Sequence, residues 1–386
     1  IKDDKIAALE AQMKIMMREI ESLKQDRQAE RADQESLKQQ MQQQISAIET
    51  KADTAIANIA PAAGDNDSGM QITMKGSTPK ITNGEFSWQP RGRIHLDAGV
   101  ISDDKVDHPN SAEFRRARLG MQGQINKDFG YVAEVDFANE NVTIKEMYMN
   151  YTGLENTELR VGNFKPGYSL DDMTSSNDIV FIERSAAIEP FSLSENLGAG
   201  VFHRGDRHHL AVGVFNDDAG RESSDDEQFS VSARFAGTPY KEDDRLLHLG
   251  GSVSYREPDQ ANDRFDYDSR AENRLQTADS VSSVINDGEK STVYGAEAAF
   301  VAGSFSVQGE YVVADIENRG GQDPTYTGAY GQVTWAVTGE NRNYSAKKAA
   351  FSGLKPNRPF DLSKGDWGAL ELAARYSHLD LIDGGL

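Results

Sequence analysis

The 386-residue chain contains no cysteine, so a disulfide scaffold, a thiolate metal site and a cysteine nucleophile are all excluded. It has no long hydrophobic run. Nothing in it approaches the roughly 18 consecutive apolar residues of a membrane-spanning helix. Its mean hydropathy is -0.62. That value does not exclude a transmembrane β-barrel, in which lipid-facing and lumen-facing residues alternate and the hydropathy averages out. Basic residues are in deficit, and the formal net charge of -21 argues against a nucleic-acid binder, which needs a basic face. The opening residues IKDDKIAALE lack the charged-then-apolar pattern of a signal peptide.

Residues 1–58 have their own absences: no Gly, Pro, Phe, Tyr or Trp. Gln, Glu, Lys and Ala fill the segment instead. Ile6, Leu9, Met13, Met16, Ile20 and Leu23 recur at alternating spacings of three and four, the seam of a heptad repeat. The same register then meets Arg27, Glu30 and Gln34 before apolar residues return at Leu37, Met41 and Ile48. This predicts an associating coiled coil over 1–58, because a lone helix so polar is marginal in water. Pro61 and Gly64 within IAPAAGDNDSGM break the pattern and mark a linker over 59–70.

From residue 71 onward helical periodicity is missing and period-two alternation takes its place. Ile94, Leu96 and Ala98 alternate with Arg93, His95 and Asp97, and Ala117, Leu119 and Met121 alternate with Arg116, Arg118 and Gln122. Similar stretches recur at 131–137, 229–235, 305–313, 333–337 and 370–376. About thirteen such segments of roughly 8–13 residues are visible, with a further one at 71–76. That length suits transmembrane strands, which need about 9–11 residues, better than ordinary ones of about 5–6. Short turns at 126–130 and 301–304 alternate with long polar loops such as 257–291, the layout of an outer-membrane barrel. A soluble β-sandwich gives the same alternation with its faces reversed and is the competing architecture.

GRIHLDAG (92–99), EFRRARLGMQG (113–123), YVAEVDFA (131–138), NYTGL (150–154) and LRVGNFKPGYSLDDMTSSNDIVFIERS (159–185) carry a resemblance to a known family. NLGAGV (196–201), SVSYRE (252–257), WAVTGE (335–340) and WGALELAARYSHLDL (367–381) extend it across 71–386. In their order and spacing these resemble the phosphate-selective porin (O/P) family of Gram-negative outer membranes. The resemblance implies an all-β transmembrane antiparallel barrel, sixteen-stranded in the family, assembled as a homotrimer. It implies a pore narrowed by inward-folded loops and lined by basic residues. Because bacterial barrels close with an even strand number, a C-terminal segment of two or three strands is expected beyond LIDGGL.

Parity places the arginines. If Ala117, Leu119 and Met121 face lipid, Arg116 and Arg118 face the lumen, as do Arg93, Arg234, Arg256 and Arg375. Strict alternation sends Arg115 outward, unless a bulge turns it in. The resemblance assigns Arg93, Arg115, Arg116 and Arg184 to the anion path and makes 165–197 the loop folded into the pore; lumenal parity adds Arg118, Arg234 and Arg256 to the expected path. A guanidinium ring in a narrow pore selects anions. The alternative is a wall network in which Arg116 and Arg118 pair with Glu134 and Asp136. Asp171, Asp172 and Asn177 stand where phosphate-selective members carry lysines, which argues for weakened phosphate selectivity. Asp136 matches an acid that the family keeps.

The expectation is an outer-membrane diffusion pore for small hydrophilic solutes, anions such as phosphate or polyphosphate preferred, with the coiled coil in the periplasm. No catalytic role, metal or cofactor is expected: the histidines lack ligand spacing and no nucleotide or nucleophile motif occurs. Expected partners are outer-membrane lipid and lipopolysaccharide, small anions and, through the coiled coil, the cell wall. Two alternatives stand beside this: a general, sugar or organic-acid porin without phosphate selectivity, and a structural or adhesive barrel protein. A sugar pore would show a lumenal aromatic series, and the sequence presents none.

Overall fold

The computed structural model describes residues 69–75, 78–100, 111–138, 142–216, 229–258, 263–275 and 280–383. The coiled coil expected over 1–58, most of the linker and the acidic loop at 217–228 lie outside the described residues.

The described chain is dominated by one antiparallel sheet of fifteen strands. It begins with β1 (Met70–Lys75), β2 (Thr78–Asn83), β3 (Phe86–Gly99), β4 (Ser111–Gln124) and β5 (Phe129–Asp136). It continues with β6 (Thr143–Leu154), β7 (Thr157–Phe164), β8 (Asn196–Arg204), β9 (His208–Phe215), β10 (Phe229–Lys241) and β11 (Arg245–Glu257). A separate hairpin, β12 (Phe265–Ser269) with β13 (Val281–Ile285), interrupts the order. The sheet resumes with β14 (Gly288–Ala302), β15 (Phe305–Asn318) and β16 (Thr325–Ala336). A second small hairpin, β17 (Tyr344–Ser345) with β18 (Ala350–Phe351), precedes the last strand, β19 (Glu371–Asp380). Every strand of the main sheet pairs with its sequence neighbour in that sheet, a pure meander whose two edge strands are β1 and β19.

The distribution of side chains decides between barrel wall and soluble sandwich. Ile94 and Val161 are 73% and 64% exposed on one face, whereas Arg234 and His248 are 1% and 0% exposed on the other. Along β15, Phe305, Val307 and Tyr311 are exposed while Ser306, Gln308 and Glu310 are buried. Apolar residues outside and polar residues inside is the inverse of a soluble protein and the pattern of a barrel wall in lipid.

Two sequence expectations need correction. Among the described residues the sheet has fifteen strands, where the sequence shows about thirteen and a further one at 71–76; that further strand is β1, and β2 is the one added. The stretch 257–291, expected as one polar loop, holds the β12–β13 hairpin and the start of β14. Loop asymmetry is also imperfect. The turns at 84–85, 125–128, 155–156, 205–207, 242–244 and 303–304 all lie at one end of the meander. The long segment 337–370 lies at that same end, and it folds inward.

Inward-folded segments pack on the inner face. Tyr168, Ile188 and Phe191 from 165–195 join Phe265, Tyr267 and Ile285 of the β12–β13 hairpin against Val293, Val312, Ile316, Tyr326 and Tyr330 of the wall. From the short-turn end, Ala350 and Phe351 bury against Leu246, Ala299 and Val301 and touch Leu170. Segments entering from opposite ends therefore meet at Leu170 and Phe351, and Gly353 N–H donates to Asp178 Oδ1 at 2.9 Å. The sequence shows no inner aromatic series, yet the structure has one. Phe164, Phe202 and Phe215 stack edge to face inside, with Tyr148 against Phe164. These rings pack on one another in a buried cluster, and Arg160 lies 4.1 Å over Phe202.

Candidate functional site

The cationic wall is built by β3 and β4. Their register sets Arg93 opposite Arg118 and His95 opposite Arg116, then slips so that Leu96 meets Phe114. Arg115 is the extra residue. A bulge leaves one residue unpaired and bends the strand, and here it turns Arg115 inward beside Arg116 against strict alternation. Both then reach the same carboxylate. Arg115 Nε donates to Glu183, and Arg116 Nη2 donates to Glu183 Oε2 and Oε1 at 2.9 and 3.1 Å. Arg116 Nη1 lies 3.2 Å from His95 Nδ1. A guanidinium has no acceptor, so His95 Nδ1 must accept; its Nε2–H then donates to Asn177 Oδ1 at 3.2 Å. One imidazole, neutral in this geometry, thus bridges wall and inner segment.

A second network lies beside the first. Arg118 Nε donates to Asp136 Oδ2 at 2.8 Å and Arg118 Nη1 to Glu134 Oε1 at 3.5 Å. Arg91 reaches Glu134 at 2.9 Å and Glu146 at 2.7 Å. Arg93 donates to Ser176 Oγ at 2.6 Å, on the inner segment. The wall pairing foreseen for Arg118 is present, while Arg116 pairs with Glu183 instead of Glu134 or Asp136. Five guanidinium groups (Arg91, Arg93, Arg115, Arg116, Arg118) face four carboxylates (Glu134, Asp136, Glu146, Glu183). These ion-paired groups sum to one positive charge; Asp97 and Glu113, register partners just beyond them on β3 and β4, lie outside that sum.

The inner segment is held by its own polar groups. A single helical turn, Leu170–Met173, directs its first N–H groups at Glu310 on β15. Leu170 N–H donates to Oε2 at 2.9 Å and Asp171 N–H to Oε1 at 2.7 Å, and Tyr330 Oη adds a third bond at 2.7 Å. Arg184 donates to the carbonyls of Asp171 and Thr174 at 2.9 and 2.6 Å, so its guanidinium ties the segment together. Asp171 Oδ2 accepts Ser185 N–H at 2.9 Å, and Asp172 Oδ1 accepts Lys165 Nζ at 2.8 Å. Both acids are buried. Burial pushes the Asp171 carboxyl above its ordinary pKa, against the opposing pull of Arg184. Burial also acts on Glu183, but Arg115 and Arg116 outweigh it and hold that carboxyl below the usual range.

The remaining predicted arginines sit elsewhere on the inner face. Arg234 Nε and Nη2 grip Glu297, with Nη2 at 2.6 Å from Oε1, and Nη2 also donates to Ala349 O at 2.7 Å. His248 Nε2 contacts the same carboxylate at 2.8 Å. Arg375 donates to Glu272 and to the Glu183 carbonyl at 2.9 Å. Arg256 lies under Phe265 and Tyr267. Sequence reasoning missed Arg91, Glu146, Glu183 and Glu310. Arg91 shares the parity of Arg93, and Glu146 and Glu310 the inward parity of their strands, so all three were legible by that rule; Glu183, outside any strand, carries no local signal.

A meander that is apolar outside, charged inside and crossed by inward-folded segments defines the wall of a transmembrane β-barrel. The sequence profile of the phosphate-selective porins O and P matches residues 89–385. The chain belongs to that family. An uncharacterised protein of Caulobacter vibrioides is 31% identical over 331 residues, 82% of this chain. The chain spans 66% of that protein's length, just under two thirds. Porin O of Pseudomonas aeruginosa is 28% identical over 347 residues, covering 81% of this chain and 76% of the porin. Among solved structures, a loop-deletion mutant of OmpT, an outer membrane protein of Vibrio cholerae, aligns with a TM-score of 0.42 and 11% identity. That alignment covers 66% of this chain and 76% of that one. A trimer form of OmpT aligns at 0.34 and 11%, covering 76% and 98%. At these scores the likeness adds nothing to the fold already described.

Proposed function

We propose that the protein is an outer-membrane diffusion pore for small hydrophilic solutes with a modest preference for anions. The observation that carries this reading is the patch of five guanidinium groups against four carboxylates, facing the inward segment at Ser176 and Asn177. An arginine-rich constriction favours anions, since each group keeps its charge and presents planar donors to an oxyanion. Near-balance of the patch limits that preference. Asp172 does not reverse it, because Lys165 neutralises it within the same segment. Strong phosphate selectivity is therefore not part of the proposal. A general porin without selectivity is the second reading, favoured by the same near-balance.

The heptad seam over 1–58 supports a homotrimer whose coiled coil lies in the periplasm. Loss of detergent-resistant trimers on deleting residues 1–65 would make the coiled coil a clamp; survival would leave it a spacer toward the cell wall.

The test is the reversal potential of the protein in a planar bilayer under a KCl gradient. Anion preference that falls in Arg93→Ala and Arg116→Ala, with chloride current blocked by added phosphate, is expected. Unselective current that ignores both substitutions would leave the general porin. Absence of any conductance would leave a structural or adhesive barrel protein.

A further inference from the structure

Arg256, near the end of β11, is only 9% exposed. The face of its guanidinium is covered, with Cζ 5.0 Å from the Tyr267 ring and 5.5 Å from the Phe265 ring. Among the described residues its Nε and Nη2 have no hydrogen-bond partner. Those two atoms form the side edge of the fork that grips two carboxylate oxygens, as Arg234 Nε and Nη2 grip Glu297. Among the described residues no carboxylate lies within ion-pair distance of Arg256. A buried charge without a counter-charge costs several kcal/mol.

Three buried hydroxyls on or against the same stretch of wall share the condition. Among the described residues Ser254 Oγ, Ser232 Oγ and Tyr168 Oη have no partner either, and these residues are 0%, 1% and 0% exposed. Ser254 lies two residues before Arg256, on the same face of β11, and Ser232 is its register partner on β10. Tyr168 lies against the next position along. A Cβ placed on Gly295, the partner of Ser252, would stand 3.9 Å from Tyr168 Cε2. Tyr168 packs in one buried cluster with Phe265 and Tyr267, the two rings that cover Arg256. Two carboxylates, Glu310 and Asp172, also act on Tyr168; Glu310 is engaged with Leu170 N–H, Asp171 N–H and Tyr330 Oη, and Asp172 Oδ1 with Lys165 Nζ. A guanidinium edge and two hydroxyls thus occupy adjoining inner-face positions of β10 and β11, and Tyr168 packs in the same buried cluster as the rings that cover Arg256. Nearly all unpaired buried polar groups in native proteins have a reason.

We propose that this patch binds one small inorganic anion, off the conduction path. The anion ties the inner segment, through Tyr168, to the wall at Arg256, beneath the β12–β13 hairpin. It is a structural ligand, and its binding does not depend on whether the lumen conducts.

The test uses the purified chain in detergent with gluconate as the only bulk anion, to which bromide or inorganic phosphate is added. Either anion should raise the unfolding temperature of the wild type in a saturable way, and Arg256→Met should lose that rise. Tyr168→Phe keeps the ring and should need a several-fold higher concentration for the same shift; it serves as the readout if Arg256→Met does not fold. In crystals grown with bromide, an anomalous peak is expected within hydrogen-bond range of Arg256 Nη2 and Tyr168 Oη. Saturation by bromide marks a halide site, and saturation by phosphate alone an oxyanion site; either supports the proposal. A water-like peak without anomalous signal, or an unchanged anion-dependent rise in Arg256→Met and Tyr168→Phe, would overturn it.

Discussion

Replacing Glu183 with Gln removes one carboxylate from the five-against-four patch and leaves it positive by two. Glu183 is shared by Arg115 and Arg116, with its side chain 10% exposed. An ion passing about 7 Å away through water-filled lumen feels a unit charge as roughly 0.6 kcal/mol, close to RT. Losing that negative charge helps an anion by about threefold and hinders a cation by the same factor. The anion-to-cation permeability ratio should therefore rise by about sevenfold to tenfold at low salt, and by less at 1 M, where the Debye length is about 3 Å. The assay is the reversal potential in a KCl gradient at two ionic strengths. Protonation should mimic the substitution. Because Arg115 and Arg116 hold the Glu183 carboxyl down, the wild-type ratio should stay flat as pH falls toward the ordinary glutamate value of about 4.3 and rise only below it. Stability runs the same way: a depressed folded pKa gives a contribution complete above the unfolded value and lost as pH falls through the folded one. A ratio that is unchanged, or that moves toward cations, would refute the placement of this network on the ion path.

Glu310→Gln weakens the acceptor of two backbone N–H groups and Tyr330, so limited proteolysis should newly cut within 165–195. Arg234→Met leaves Glu297 buried with His248 alone and should cost about 3–5 kcal/mol, read as a fall in unfolding temperature. Lys165→Met uncovers the charge of Asp172 and should shift selectivity toward cations, whereas Asp172→Asn should shift it the other way. Phe351→Ala removes the apolar anchor of the segment entering from the short-turn end. It should cost about 3–5 kcal/mol and raise single-channel conductance if that segment narrows the lumen.

Alternation made the wall legible in the sequence because period two is strict once one face meets lipid. Ile94 and Leu119 fell outward, and Arg93, Arg116, Arg118 and Arg234 fell inward, by counting alone. The same rule sent Arg115 to the wrong face, and only the register slip at Leu96–Phe114 brings it in. What alternation could not reach are contacts between residues far apart in sequence. Glu183 and Arg116 are 67 positions apart, Glu310 and Leu170 are 140, and Arg234 and Ala349 are 115. No local pattern encodes them. Asp172 shows the consequence most sharply. Read alone, it is an anion where the family carries a cation, and it argues against anion passage. In the structure, Lys165 lies 2.8 Å from it, and the pair presents little net charge to the lumen. Selectivity in such a pore is set by the sum over a network, so no single position read from sequence fixes its sign. Near-balance also explains how a chain with a net charge of -21 can hold a positive patch: its excess is one unit, and one substitution doubles it.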